Sequence, residues 1–168
     1  MSTQFIQANA DYVANFGDKG SLALPPAKKL IVVTCMDARL DPAAHLGIKE
    51  GDAHVIRNAG GSAKDALRSI IISQRLLGTR EIAVFHHTGC GMLTFSSNDL
   101  RSIVKEANPG NATVASQVDS IDFLEFGHLE DSVKADVGFL HESPLVLKET
   151  HVTGWVYEVE TGKIRQIV

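Results

Sequence analysis

The chain contains only two cysteines, and each lies in a run dense with reactive side chains: Cys35-Met36-Asp37-Ala38-Arg39 and His87-Thr88-Gly89-Cys90. Two thiolates and one imidazole are soft-to-borderline donors that suit Zn²⁺, and three protein ligands leave the fourth tetrahedral position open for water or substrate. An open position marks catalysis rather than a structural staple. His87 and Cys90, three apart on a turn that contains Gly89, can grip one ion together. Cys35 must then arrive from another part of the fold. Asp37 has two available roles, as a fourth ligand that closes the site or as acceptor for the hydrogen of a metal-bound water. Arg39 favours the second, because its planar fork can hold the carboxylate through two charge-assisted hydrogen bonds and keep it off the metal. The expected cofactor is one Zn²⁺ per chain, held by Cys35, His87 and Cys90.

Zinc lowers the pKa of bound water to roughly 7 where its protein ligands are neutral. Two thiolates offset the ion's charge, so the hydroxide is expected to form at higher pH here, with activity favouring alkaline conditions. Three plainer readings compete. The cysteines could be buried small hydrophobes, or Asp37 could close a structural zinc site. A redox pair is the weakest of the three, since no Cys-x-x-Cys occurs. His86 precedes the ligand on the same run and should point to the opposite face, toward a hydrogen-bonding rather than a ligand role.

The elements that must position these residues follow from patterning. Residues 2 to 16 place Phe5, Ile6, Tyr12, Val13 and Phe16 on one helical stripe, a core or dimer-interface pattern. A Gly- and Pro-bearing segment to Pro26 ends that helix, so 1–26 is expected to form a helical arm and linker on a single domain spanning 1–168. Leu30 to Thr34 is an apolar, β-branched strand, followed by the first motif and by Asp41-Pro42 as the cap and first residue of a helix. Ala53 to Ile56 is a second strand. Ser62 and Asp65 form a capping box for a helix to about Leu77, and Glu81 to His86 is a third strand. Helices are expected over Ser97 to Ala107 and Asp119 to Val137, a strand over Gly154 to Val159, and an antiparallel edge strand over Ile164 to Val168. Gly60 and Gly61 allow either a close backbone approach to the ligand crevice or a plain turn.

Strands alternating with helices predict an α/β fold, a mostly parallel sheet of about four strands plus the antiparallel edge strand, flanked by helices. Ligands in such sheets bind beyond the carboxyl ends of the strands, where strand order reverses. Cys35 ends the first strand and His87 the third; if these are neighbours across that switch point, the three ligands converge.

Composition narrows the partners. With 168 residues the chain can bury a core without structural metal, which leaves a metal free to be functional. Sixteen basic against 20 acidic residues give a net charge of −4 with no run of like charges, which argues against nucleic acid or an anionic membrane as partner. There is no apolar span of transmembrane length and no basic-then-apolar start, so a cytoplasmic, soluble protein is expected.

Cys-x-Asp-x-Arg followed by His-x-x-Cys resembles the signature of the β-class carbonic anhydrases. The similarity to the short form extends over nearly the full chain, including Gly51-Asp52-Ala53-His54-Val55-Ile56-Arg57-Asn58-Ala59-Gly60 and His86-His87-Thr88-Gly89-Cys90-Gly91-Met92. The resemblance implies Cys35, His87 and Cys90 as zinc ligands and Asp37 with Arg39 as the catalytic dyad. It implies a homodimer or dimer of dimers, with the N-terminal arm crossing to a partner. The superfamily also includes hydrolases of carbonyl sulfide and carbon disulfide. The expected activity is therefore attack by zinc hydroxide on a small linear cumulated substrate, either CO2, giving bicarbonate, or carbonyl sulfide, giving CO2 and H2S. The alternative is a non-catalytic zinc-binding or bicarbonate-sensing protein of the same fold. The chain departs from the pattern at Gly89, where relatives of the short type often carry an acidic residue.

Overall fold

A computed structural model describes residues 2–168. Met1, where the expected arm and the expected domain begin, lies outside the described residues. Helix α1 (Ser2–Ala14) leads through a short 3-10 turn to strand β1 (Leu30–Cys35). Next come α2 (Pro42–Leu46), β2 (Ala53–Asn58), α3 (Ala63–Leu77) and β3 (Glu81–His87). Helices α4 (Ser97–Glu106), α5 (Ala112–Asp119) and α6 (Leu129–Glu142) precede β4 (His151–Tyr157) and β5 (Ile164–Gln166). No helix among the described residues is long and apolar enough to cross a membrane.

The five strands form one sheet in the order β2-β1-β3-β4-β5, parallel throughout except for the β4–β5 edge pair. The order reverses between β1 and β3, the two strands that end at Cys35 and His87. Their register pairs Leu30 with Glu81 and Thr34 with Phe85, so both strands run out at the same edge. One face of the sheet buries Ile31, Val33, Ile82 and Val84 against Ala63, Ala66 and Ile70 of α3 and Val137 and Leu140 of α6. The other face carries a smaller cluster of Val32, Ala83 and Phe85, with Leu46, Ile48 and Trp155 packed on it. Trp155 stacks on Phe85 at 5.8 Å between ring centroids.

The helix starts show local chemistry replaced where tertiary partners are available. Asp41 caps α2 by accepting from Ala44 N, with Pro42 at the first helical position. At α3 only half of the expected capping box forms: Ser62 accepts from Asp65 N, while the free Ala63 N–H is taken by Asp136 of α6 at 3.0 Å. A reciprocal capping box occurs instead at α4, between Ser96 and Asp99. The expected helix over Asp119 to Val137 is corrected by the structure: α5 stops at Asp119 and α6 starts at Leu129. Asp122 turns back to accept from Leu124 N, Leu124 adopts φ +59°, and Phe126 N donates to Met92 O. The apolar residues of this stretch thus serve a loop packed over the sheet end rather than a helix face. Strand β4 begins at His151, earlier than the patterning indicated, because pairing with β3 starts at Glu81↔His151 and Glu158 already enters the turn.

Helix α1 stands apart, with Phe5 and Ile6 each 71% exposed and Val13 59%. It is tied to the body where Tyr12 hydrogen-bonds Glu50, which also pairs with Lys19 at 2.6 Å.

Helix α6 lies so close to β4 that only glycine fits at 154. A Cβ there would lie 2.5 Å from Val133 Cγ1 and 2.9 Å from Val137 Cγ2. Gly154→Ala is expected to lower unfolding free energy by about 1–3 kcal/mol through overpacking. Gly138→Ala, where an added Cβ meets nothing within 4 Å, should be neutral or gain up to about 1 kcal/mol of helix propensity. Urea denaturation of both variants checks the pair, and equal tolerance would contradict so close a helix–sheet contact.

Candidate metal centre

The sheet's C-terminal edge brings the two motifs together. Cys35, His87 and Cys90 are all buried, and one sulfur or nitrogen from each lies within 4.8 Å of the others, a group that could hold a metal ion. Cys35 reaches this point as the last residue of β1, and the loop after it is held by Met36 N donating to Asn58 O at 2.8 Å. Arg57 reinforces the loop from β2, its side chain donating to the carbonyls of Cys35 (3.1 Å) and Asp37 (2.7 Å). Gly61 makes this packing possible. It sits at φ +73°, and a Cβ would come within 2.9 Å of Phe85 O and 3.0 Å of Cys35 N, so the close-approach alternative for this glycine pair holds.

His87 is held in one tautomer. Its Nδ1 faces the Thr88 carbonyl at 2.9 Å and must donate to it, which leaves the Nε2 lone pair free. Nε2 is buried without a hydrogen-bond partner. An orphaned acceptor beside two buried sulfurs is costly in a dry interior, and coordination of a cation removes that cost. The donor set, two sulfurs and one imidazole, fits zinc.

Asp37 lies beside this group without joining it. Arg39 grips the carboxylate with Nε on Oδ1 at 2.9 Å and a terminal nitrogen on Oδ2 at 2.7 Å, and its backbone N–H adds a third bond to Oδ1 at 2.9 Å. The same terminal nitrogen donates to Gly89 O at 3.0 Å, tying the first motif to the second. Asp37 Oδ2 stays 3.7 Å from His87 Nε2. The Arg39 side chain, helped by its backbone N–H, holds the Asp37 carboxyl well below the usual carboxylate range. A cavity of about 310 Å³ opens above, lined by Met36, Ala59, Gly60, Met92 and Phe95 together with Cys35, Asp37 and Cys90.

His86, on the same strand as His87, points away from the group. It is buried between Ser132 (2.7 Å) and Asp136 (3.1 Å) of α6, with Phe126 stacked on the ring. His45 stacks on Tyr157 at 4.5 Å and His54 bonds Ser73, so neither belongs to the centre. Every residue singled out from the two motifs therefore meets in one place. Arg57, Met92 and Phe95 complete the site; Arg57 and Met92 fall within the runs that carry the resemblance but have no role assigned there, and Phe95 carries no signal.

The two sulfurs differ in acidity: the neighbouring Cys90 thiol lowers the pKa of Cys35, and the neighbouring Cys35 together with burial pushes the Cys90 thiol up. Metal-free protein at neutral pH is thus expected to show ultraviolet thiolate absorbance for about one sulfur per chain. Cys90→Ala removes that neighbour and should lose most of the signal; an unchanged signal, which could then come only from Cys35, would show that Cys35 ionises without help from Cys90.

Comparison with known proteins agrees with this geometry. The family model described as carbonic anhydrase matches residues 30–164. Beta-carbonic anhydrase 1 of Mycobacterium tuberculosis is 40% identical over 168 residues, covering 99% of this chain and 98% of that protein. A carbon disulfide hydrolase of an Acidianus species is 33% identical over 186 residues, covering 99% and 90%. Among solved structures, a carbonic anhydrase from Glaciozyma antarctica superposes with a TM-score of 0.93 at 56% identity, covering 96% of this chain and 95% of that one. The motifs, the sheet that joins them and these relatives place the chain in the β-carbonic anhydrase family.

Proposed function

We propose that the protein is a zinc-dependent carbonic anhydrase, catalysing reversible hydration of CO2 to bicarbonate. One observation carries the reading: three ligand atoms converge under a small cavity while Arg39 holds the adjacent carboxylate away from them. Cys35, His87 and Cys90 would be the ligands, and Asp37 with Arg39 the catalytic pair. Bound zinc would supply an acidified water as nucleophile.

The chain's own residues do the rest. Asp37, kept ionised and oriented by Arg39, accepts the hydrogen of the attacking water and turns its lone pair toward the substrate carbon. Met36, Ala59, Met92 and Phe95 give the cavity an apolar wall suited to an uncharged linear triatomic molecule. Such a wall favours entry of CO2 over entry of bicarbonate. Carbonyl sulfide meets the same shape and charge requirements, and the carbon disulfide hydrolase relatives make its hydrolysis the second reading. The exposed apolar stripe of α1 supports assembly with further copies of the chain. Both cysteines are free and committed to this centre, which suits a reducing compartment such as the cytoplasm.

Stopped-flow CO2 hydration beside sulfide release from carbonyl sulfide tests the reading. CO2 turnover is expected, rising toward alkaline pH because two thiolates offset the metal's charge; absence of both activities in zinc-loaded protein would sink it. Asp37→Ala should lower turnover roughly a hundredfold or more while keeping zinc. Loss of zinc from that variant would instead identify Asp37 as a fourth ligand of a closed, non-catalytic site.

A further inference from the structure

His87 depends for its aim on one backbone carbonyl. Its Nδ1–H points at Thr88 O, so the setting of the Thr88–Gly89 peptide decides where Nε2 points. Thr88 uses every polar group it possesses. Its N–H donates to Tyr157 O at 3.0 Å, its carbonyl accepts from His87, its hydroxyl donates to Glu160 Oε2 at 2.7 Å, and the same hydroxyl oxygen accepts from Val159 N at 2.9 Å. Three of these four bonds run to the end of β4 and the turn beyond it, 69 to 72 residues away. The ligand turn itself contains Gly89 at φ +61° and cannot hold its shape by local stiffness.

We propose that Thr88 is a positioning residue for the ligand His87, with Glu160 as its anchor, and that this clamp sets how tightly zinc is held. The proposal rests on the zinc reading given above. Partners outside the coordination sphere that orient a ligating imidazole are commonly worth 10–100-fold in metal affinity. Here the orienting group is a carbonyl, and a carbonyl has no fixed direction unless its own peptide is fixed. Threonine fixes the peptide from both sides of its hydroxyl, a two-way bond that serine can reproduce and the isosteric valine cannot. Glu160 is exposed, yet the Thr88 hydroxyl and then a backbone hydrogen bond hold its carboxyl below the usual range, so it remains an ionised acceptor.

Chelator competition on the zinc-loaded full chain tests this without reference to any substrate. Thr88→Val is expected to raise the zinc dissociation constant roughly 10–100-fold. Thr88→Ser should recover most of the affinity, and Glu160→Ala should weaken zinc less than Thr88→Val because the Val159 bond survives. Glu160→Gln, whose amide oxygen still accepts the hydroxyl, should stay close to the parent. Thermal midpoints of the metal-free proteins separate aim from folding: affinity must fall in Glu160→Ala while its metal-free midpoint holds. Equal zinc affinity in Thr88→Val, Glu160→Ala and the parent would overturn the clamp. A parent chain that binds no zinc would overturn the metal reading beneath it, and the two failures differ in which protein shows them.

Discussion

Parallel pairing of β1 with β3 is the constraint from which the centre follows. In a parallel pair the strands end together, and the register from Leu30↔Glu81 to Thr34↔Phe85 delivers Cys35 and His87 to one edge although 52 positions separate them. A right-handed crossover through β2 and α3 is needed to reach that arrangement, and it places the strand-order reversal between Cys35 and His87. The resulting crevice exists before any side chain is chosen to fill it. What the motifs add is chemistry: a sulfur on one lip, an imidazole and a second sulfur on the other.

Burial makes that chemistry demanding. Two sulfurs and an unpaired imidazole nitrogen, all buried, leave polar capacity unmet. The carboxylate beside them would add to the negative charge if it were free to approach. Arg39 neutralises it and spans both lips, bonded to Asp37 on the first motif and to Gly89 O on the second. The same side chain therefore sets the local charge, the direction of the carboxylate and the width of the crevice. Loss of any one of these would alter the other two, which is why the pair is better regarded as one structural unit than as two residues.

The centre was largely legible in the sequence because its information is local. Spacing of two within Cys35-Met36-Asp37 and of three within His87-Thr88-Gly89-Cys90 encodes which groups can share an ion, and apolar runs ending at those motifs encode where the strands deliver them. The alternating strands and helices likewise yielded the sheet class. What stayed hidden is long-range. Arg57 reads as one more polar residue at a strand end, but it crosses to the carbonyls of Cys35 and Asp37. Glu160 reads as part of a turn, and nothing near it in the chain points to Thr88. The stretch from Ser120 to His128 carries apolar residues at spacings compatible with a helix, yet bonds to Met92 and to the start of α4 through Glu125 draw it into a loop. In each case a partner tens of residues away outweighs the local preference, and patterning is blind to such partners.

Gly89 ties these themes together, as the position where the resemblance led us to expect an acidic residue and the chain has none. A Cβ there would lie 3.9 and 4.0 Å from the two terminal nitrogens of Arg39. An aspartate at this site, which the backbone at φ +61° would tolerate better than most residues, would carry its carboxylate within bonding reach of that guanidinium. Two carboxylates would then divide one cation, weakening the hold on Asp37 and adding negative charge at the lip that already bears Cys90. With glycine, the terminal nitrogen that bonds Asp37 meets only a neutral carbonyl on the second motif, and no second carboxylate competes for the guanidinium. The absence of a side chain thus strengthens the separation between the carboxylate and the ligand atoms on which the proposed chemistry depends.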